Sequence, residues 1–242
     1  MNDPNPPGNG SRSGFRYRET TRDGQRNTTR TELNTMLIDI TSTITTQIKV
    51  WPGDNAPERE VLLQLDRGDP VTLSTLRTTV HVGSHADAPS HYGTEGRTID
   101  EQPLDLYVGP CEVMRVEGVR GRRVTIEDLP ATPTEHRLLL HTGTCPDPEQ
   151  WNEDFAALDP NLVDHLHDCG VRLVGIDTPS VDLFADKQLL AHARFLAQDM
   201  AIIEGLRLDA VTPGRYELIA PPLKLAGFDG SPVRAILRTL ET

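Results

Sequence analysis

Cysteine is scarce in this chain. There are three, Cys111, Cys145 and Cys169, and no two stand in a CxxC spacing. An odd, scattered set argues against a disulfide frame and against a thiolate zinc site, and suits reduced thiols. Long apolar runs are absent too, so no segment reads as a transmembrane helix and no membrane partner is expected. The N-terminus lacks the apolar centre of a secretory signal, and the expected compartment is the cytoplasm. Positive charge is in short supply, with 24 Lys and Arg against 36 Asp and Glu and a net charge of -12. Binding to nucleic acid needs a basic face, so that class of partner is excluded. No GxSxG elbow occurs, which removes the common serine hydrolase design.

What is present is a soluble composition, 36% hydrophobic and 25% charged, over 242 residues. Residues 1–35 are rich in Asn, Pro, Gly, Ser, Thr and Arg and have few apolar side chains. Such a stretch buries too little surface to offset its ordering entropy, and disorder is expected there. Residues 36–242 show no linker and no repeat and read as one domain. Strand-like segments rich in β-branched residues fall at 37–40, 111–116, 137–141, 171–176, 216–220 and 233–238. Segments 61–65 and 71–80 read as a hairpin. Asp159-Pro160 opens a helix that Gly170 closes. A second helix is expected over about 185–200, with Leu189, Leu190, Ala193, Leu196 and Ala197 as its apolar stripe. Thr125 and Asp128 form a short capping pattern. The order predicts an α/β fold with a mixed sheet.

The densest chemistry lies in eleven residues, His81-Val82-Gly83-Ser84-His85-Ala86-Asp87-Ala88-Pro89-Ser90-His91. Imidazole and carboxylate together are the ligands a divalent cation such as zinc prefers. A helix would place His81 and His85 on one face, but Gly83 and Pro89 disfavour it. An extended segment would turn His81, Gly83, His85 and Asp87 to one side. Pro89 biases Ala88 away from helix. One segment leaves such a site incomplete, so further ligands must come from elsewhere. His192 lies within the second helix, and Glu204 follows the apolar run Ala201-Ile202-Ile203; spacing alone selects neither. His136, His141, His165 and His167 read as ordinary histidines.

The stretch from His81 to His91 resembles the HxGTHxDxPxH signature of the cyclase-like metal hydrolases, and within them the bacterial kynurenine formamidases (arylformamidases). Trp51-Pro52-Gly53-Asp54, the segment 104–111, Gly175-Ile176-Asp177-Thr178-Pro179-Ser180, 201–206 and 231–235 are similar to other parts of that family. The resemblance spans about 37–240. It implies a single domain with a mixed, barrel-like sheet core and flanking helices, of the swivelling β/β/α type. It also implies two zinc ions per chain, with manganese the alternative. His81, His85 and Asp87 would hold one ion, and Asp87 would bridge to a second held by His192 and Glu204. His91 would be the catalytic proton donor and acceptor, and Trp51 a substrate-binding aromatic. The implied reaction is hydrolysis of N-formyl-L-kynurenine to L-kynurenine and formate, in tryptophan breakdown, by a homodimer. Two positions depart from the pattern: Ser84 stands where Thr is usual, and Leu183 where Pro is frequent. The alternatives are a sister amide hydrolase acting on a cyclic amide such as isatin, with one manganese, and a non-catalytic metal-binding homologue.

Overall fold

The structure, a computed structural model, describes residues 35–240. The expected disorder of the N-terminal stretch falls almost wholly outside them. Thirteen strands and two α-helices follow in order: β1 (Leu37–Asp39), β2 (Glu58–Leu63), β3 (Leu73–Arg77), β4 (His85–Asp87), β5 (Val108–Arg115), β6 (Arg123–Val124), β7 (Arg137–His141), β8 (Ala157–Leu158), α1 (Pro160–Asp168), β9 (Leu173–Ile176), α2 (Leu190–Ala197), β10 (Ala201–Glu204), β11 (Gly214–Ile219), β12 (Gly230–Pro232) and β13 (Ile236–Thr239). Nine of the strands make one sheet in the order β1-β13-β11-β5-β7-β9-β10-β4-β12. Its centre, from β5 through β7 and β9 to β10, is parallel, and its flanks are antiparallel. The sheet curls into a half-barrel whose end strands do not pair with each other. This is the mixed α/β architecture that the sequence predicts.

Alternation along the central strands splits the core in two. Leu139, Leu173, Ile203 and Leu218 bury one face. Leu138, Leu140, Val174 and Ile202 bury the other, against Leu162 and Leu166 of α1 and Ala191 and Phe195 of α2. The first helix matches expectation: the Asp159 carboxylate accepts from the Asn161 amide at 2.8 Å, and Pro160 holds the first helical position. Thr125 and Asp128 cap a single 3-10 turn, also as expected.

The second helix is shorter than expected. Leu189 is left-handed (φ 50°), and the helix begins only at Leu190, where Asp182 and Asp186 take up the free amides of its first turn. Its buried face is Ala191, His192 and Phe195, whereas Leu189, Leu190 and Leu196 are exposed. The leucine stripe misleads because this helix uses its small side to approach the sheet. The segment after Gly83 is extended only over β4, and residues 80–84 bend. The expected strand over 233–238 forms only from Ile236 onward, as β13, and β12 precedes it. The β2–β3 hairpin forms, with register irregularity near Leu63, and its side chains are mostly exposed.

Candidate metal centre

Strand pairing assembles the centre. In the antiparallel β10–β4 ladder, Glu204 stands opposite His85 and Ile202 opposite Asp87. Residues opposite one another in a ladder share a face of the sheet. Ile202 belongs to the core half packed against α2, so His85, Asp87 and Glu204 point that way too. Ala86 and Ile203, between them in sequence, point into the other half. On α2, His192 adjoins Ala191 and descends onto the same patch. His81 reaches it from the bend before β4. Gly83 makes that bend at φ +57°, with Ile48 and Ser42 so close that a Cβ would lie 3.1 Å and 3.2 Å from them. On the other side of β4, Gly230 leaves room for the His81 ring, which would stand 2.8 Å from a Cβ there.

All five residues named as ligands in the sequence analysis are thus brought together. His81 Nδ1 lies 2.9 Å from Asp87 Oδ1. His85 Nε2 lies 3.4 Å from Asp87 and 3.3 Å from Glu204 Oε2. His192 Nε2 lies 3.3 Å from Asp87 Oδ2 and 3.8 Å from Glu204 Oε1. Asp87 faces three imidazoles. Glu204 faces two, one from each oxygen, so it spans the group as Asp87 does. His91 joins from the short 3-10 turn at Pro89–His91: it falls with His81 and Asp87 in one compact set of donor atoms, while His85, Asp87 and Glu204 form another.

The outward nitrogen of each core imidazole is also held. His85 Nδ1 donates to the Gly83 carbonyl at 3.0 Å, His81 Nε2 faces Asp229 at 3.0 Å and His192 Nδ1 faces Asp182 at 2.9 Å. Neither aspartate was singled out from the sequence. Both are ordinary polar letters outside the signature, and only the fold reveals their aim. Ser84, the departure from the usual Thr, keeps its hydroxyl in use: it donates to the Gly205 carbonyl at 2.7 Å and accepts from the Ser42 amide at 2.9 Å.

The donor set fits a divalent cation. Two carboxylates and two imidazoles are all but fully buried and face chiefly one another. Burial pushes the His85 pKa down, but the hydrogen bonds it donates to Asp87 and Glu204 prevail and raise it to about 10. Burial likewise opposes protonation of His192, and Asp182 and Asp87 overcome it, again to about 10. Burial pushes Asp87 up, yet His192, His81 and His85 hold it well below the usual carboxylate range. Protons here supply the positive charge that a cation supplies when bound.

The centre opens into a cavity of ≈ 400 Å³ bordered by His91, Trp51 and Trp151. Trp51 stands on a turn closed by the Asp54 amide on the Trp51 carbonyl (2.9 Å), with Gly53 at φ +105°. Its ring lies 5.4 Å from Trp151, 5.2 Å from Phe184 and 6.3 Å from Phe155. Both tryptophans of the chain therefore meet beside one cavity; Trp151 was missed in the sequence, where a lone tryptophan gives no sign of its partner. His91 is half-exposed, with its ring 4.1 Å from His81. Burial, along with the neighbouring His81 and His192, lowers its pKa despite Asp87 and Glu204. The other histidines lie outside the cluster. His136 faces the Gly170 carbonyl, His165 lies 3.7 Å from Cys169, His167 lies 3.7 Å from Asp168, and buried His141 stands 3.8 Å from Asp177. The three cysteines are free.

The model of the putative cyclase family matches residues 38–183, and the chain belongs to that family. A solved structure described as a potential metal-dependent hydrolase with cyclase activity superposes with a TM-score of 0.74 at 29% identity, over 86% of this chain and 100% of the other. A predicted metal-dependent hydrolase from Bacillus stearothermophilus gives 0.72 at 29%, over 85% and 99%. Isatin hydrolase A from Labrenzia aggregata, bound to benzyl benzoate, shares the fold, with 0.70 at 22% over 86% and 94%.

Proposed function

We propose that this chain hydrolyses an aryl formamide, N-formyl-L-kynurenine, to L-kynurenine and formate. The observation that carries the reading is the pairing of an aromatic wall, Trp51 and Trp151, with a buried His and carboxylate cluster across one cavity. A planar aryl group has a matching surface there, and its formamide would reach the cluster. His81, His85, Asp87, His192 and Glu204 would hold the cations. When bound, such ions acidify water and polarise a carbonyl. The remaining work belongs to the chain. His91, with its lowered pKa, is neutral near pH 7 and takes a proton from the attacking water as the C–O bond forms at the formyl carbon. It returns that proton to the aryl nitrogen as the C–N bond breaks, so the amine leaves uncharged. The same reading takes two zinc ions per chain, a homodimer and a cytoplasmic setting.

A cyclic amide such as isatin is the second reading, favoured by the shared fold of isatin hydrolases and by the same aromatic wall. The deciding experiment measures hydrolysis of N-formylkynurenine and of isatin side by side, with and without a chelator, together with a cation count per chain. Chelator-sensitive release of formate at a rate well above isatin opening is expected. No formamide turnover by the metal-loaded protein would refute the proposal.

A further inference from the structure

Asp182 is 1% exposed and fully engaged. Its Oδ1 accepts from Arg123 Nη1 at 2.9 Å and from the Ala191 amide at 3.0 Å. Its Oδ2 accepts from the His192 amide at 3.0 Å and faces His192 Nδ1 at 2.9 Å. Arg123 arrives from β6, which pairs only with β8, outside the nine-stranded sheet. It also binds Asp186 and so ties down the turn before α2. We propose that Arg123 and Asp182 are positioning residues that lock the His192 imidazole with Nε2 toward the candidate cation site. This rests on the metal-site reading above.

The argument is one of donors and acceptors. An ionised carboxylate only accepts, so His192 Nδ1 must carry a proton. The lone pair available to a cation is then on Nε2, the atom 3.3 Å from Asp87. The two backbone amides at the start of α2 fix the carboxylate, and the carboxylate fixes the ring. A buried anion needs a countercharge, and Arg123 provides one that does not compete for the site. His81 differs, because its outward partner Asp229 is half-exposed and solvated. Asparagine at 182 would offer one oxygen and one NH2 to four donors. In one orientation its NH2 would face the Ala191 amide and Arg123; in the other it would face the His192 amide and ring, and the imidazole would have to rotate or move its proton to Nε2.

The experiment titrates Zn2+ against a chromophoric chelator in the full chain and in Asp182→Asn, Arg123→Gln and Arg123→Lys, with circular dichroism as the folding control. Nitrogen-15 NMR of the histidines in the zinc-loaded wild type runs alongside. Asp182→Asn and Arg123→Gln should weaken Zn2+ binding by about 10–100-fold, and Arg123→Lys should recover part of the loss. NMR should show His192 bound through Nε2 with Nδ1 protonated. Folded variants that bind Zn2+ as the wild type does would overturn the proposal. So would coordination through Nδ1, which is decisive even where a variant fails to fold. A wild type that takes up no Zn2+ overturns the metal-site reading itself.

Discussion

Water reaches His91 and not the buried His85 and His192. Its side chain is 36% exposed, against 4% for both His85 and His192. A group that exchanges protons with solvent and substrate needs that access, and a ligand does not. His91→Ala should therefore keep its cations and lose about 10²–10⁴-fold in turnover, read by formate release beside metal analysis. Loss of a cation on that substitution would make His91 a ligand, in keeping with its place beside His81 and Asp87. The buried imidazoles carry a different signature. In the cation-free protein the pKa values of His85 and His192 stand near 10, against an ordinary value of 6.5. Their contribution to stability is complete below about pH 6.5 and drains away as pH rises toward 10. The melting temperature of chelator-treated protein should fall across that window. Zinc-loaded protein should lack the trend, since the cation has displaced the protons; a flat profile for both forms would contradict the assignment.

At the scale of elements, the centre is a product of strand register. The turn after β10 shows how tightly it is held: Gly205 lies at φ +66°, and a Cβ there would stand 2.1 Å from the Gly83 carbonyl oxygen. Gly205→Ala should destabilise the fold by at least about 2 kcal/mol, measured by denaturant unfolding of the chelated protein. A change under about 0.5 kcal/mol would show that this contact yields easily. Register also explains what the sequence could and could not disclose. The ligand types within His81 to His91 are visible as letters, and so is the alternation that puts His85 and Asp87 on one side. Glu204 is different. A carboxylate after three apolar residues reads locally as a strand end facing water, and only its place opposite His85 makes it a buried partner. His192 is hidden for a similar reason, because the leucines around it suggest a face that the helix does not bury. A family resemblance pointed to both where periodicity could not, and the structure places both in the cluster. Asp182 escaped because it caps backbone amides whose positions exist only after folding.

For the whole molecule, six strands of the nine-stranded sheet, β1, β5, β7, β9, β11 and β13, were legible from β-branched runs and turn residues, and the division of the core into two halves was not. The short β6, β8 and β12 were not, since two or three residues carry no period. The β2–β3 hairpin stands apart from that core. Leu62, Leu65, Leu73 and Leu76 on or beside it are 51%, 63%, 47% and 61% exposed. Within one chain, Leu62→Ser and Leu76→Ser should change stability by less than about 0.5 kcal/mol, because these side chains leave little packing behind. Thermal unfolding over a range of protein concentrations checks this. A larger loss that shrinks on dilution would instead place a second copy over the hairpin.

Because four of the five candidate ligands sit on hydrogen-bonded strands and a capped helix, with His81 on the bend before β4, the pairing of backbones that completes the domain also assembles the candidate cation site. On the proposed function, synthesis and metal loading can then be separate events: a chain made where the cation is scarce would wait, folded, with protons as placeholders, and mature when the ion arrives.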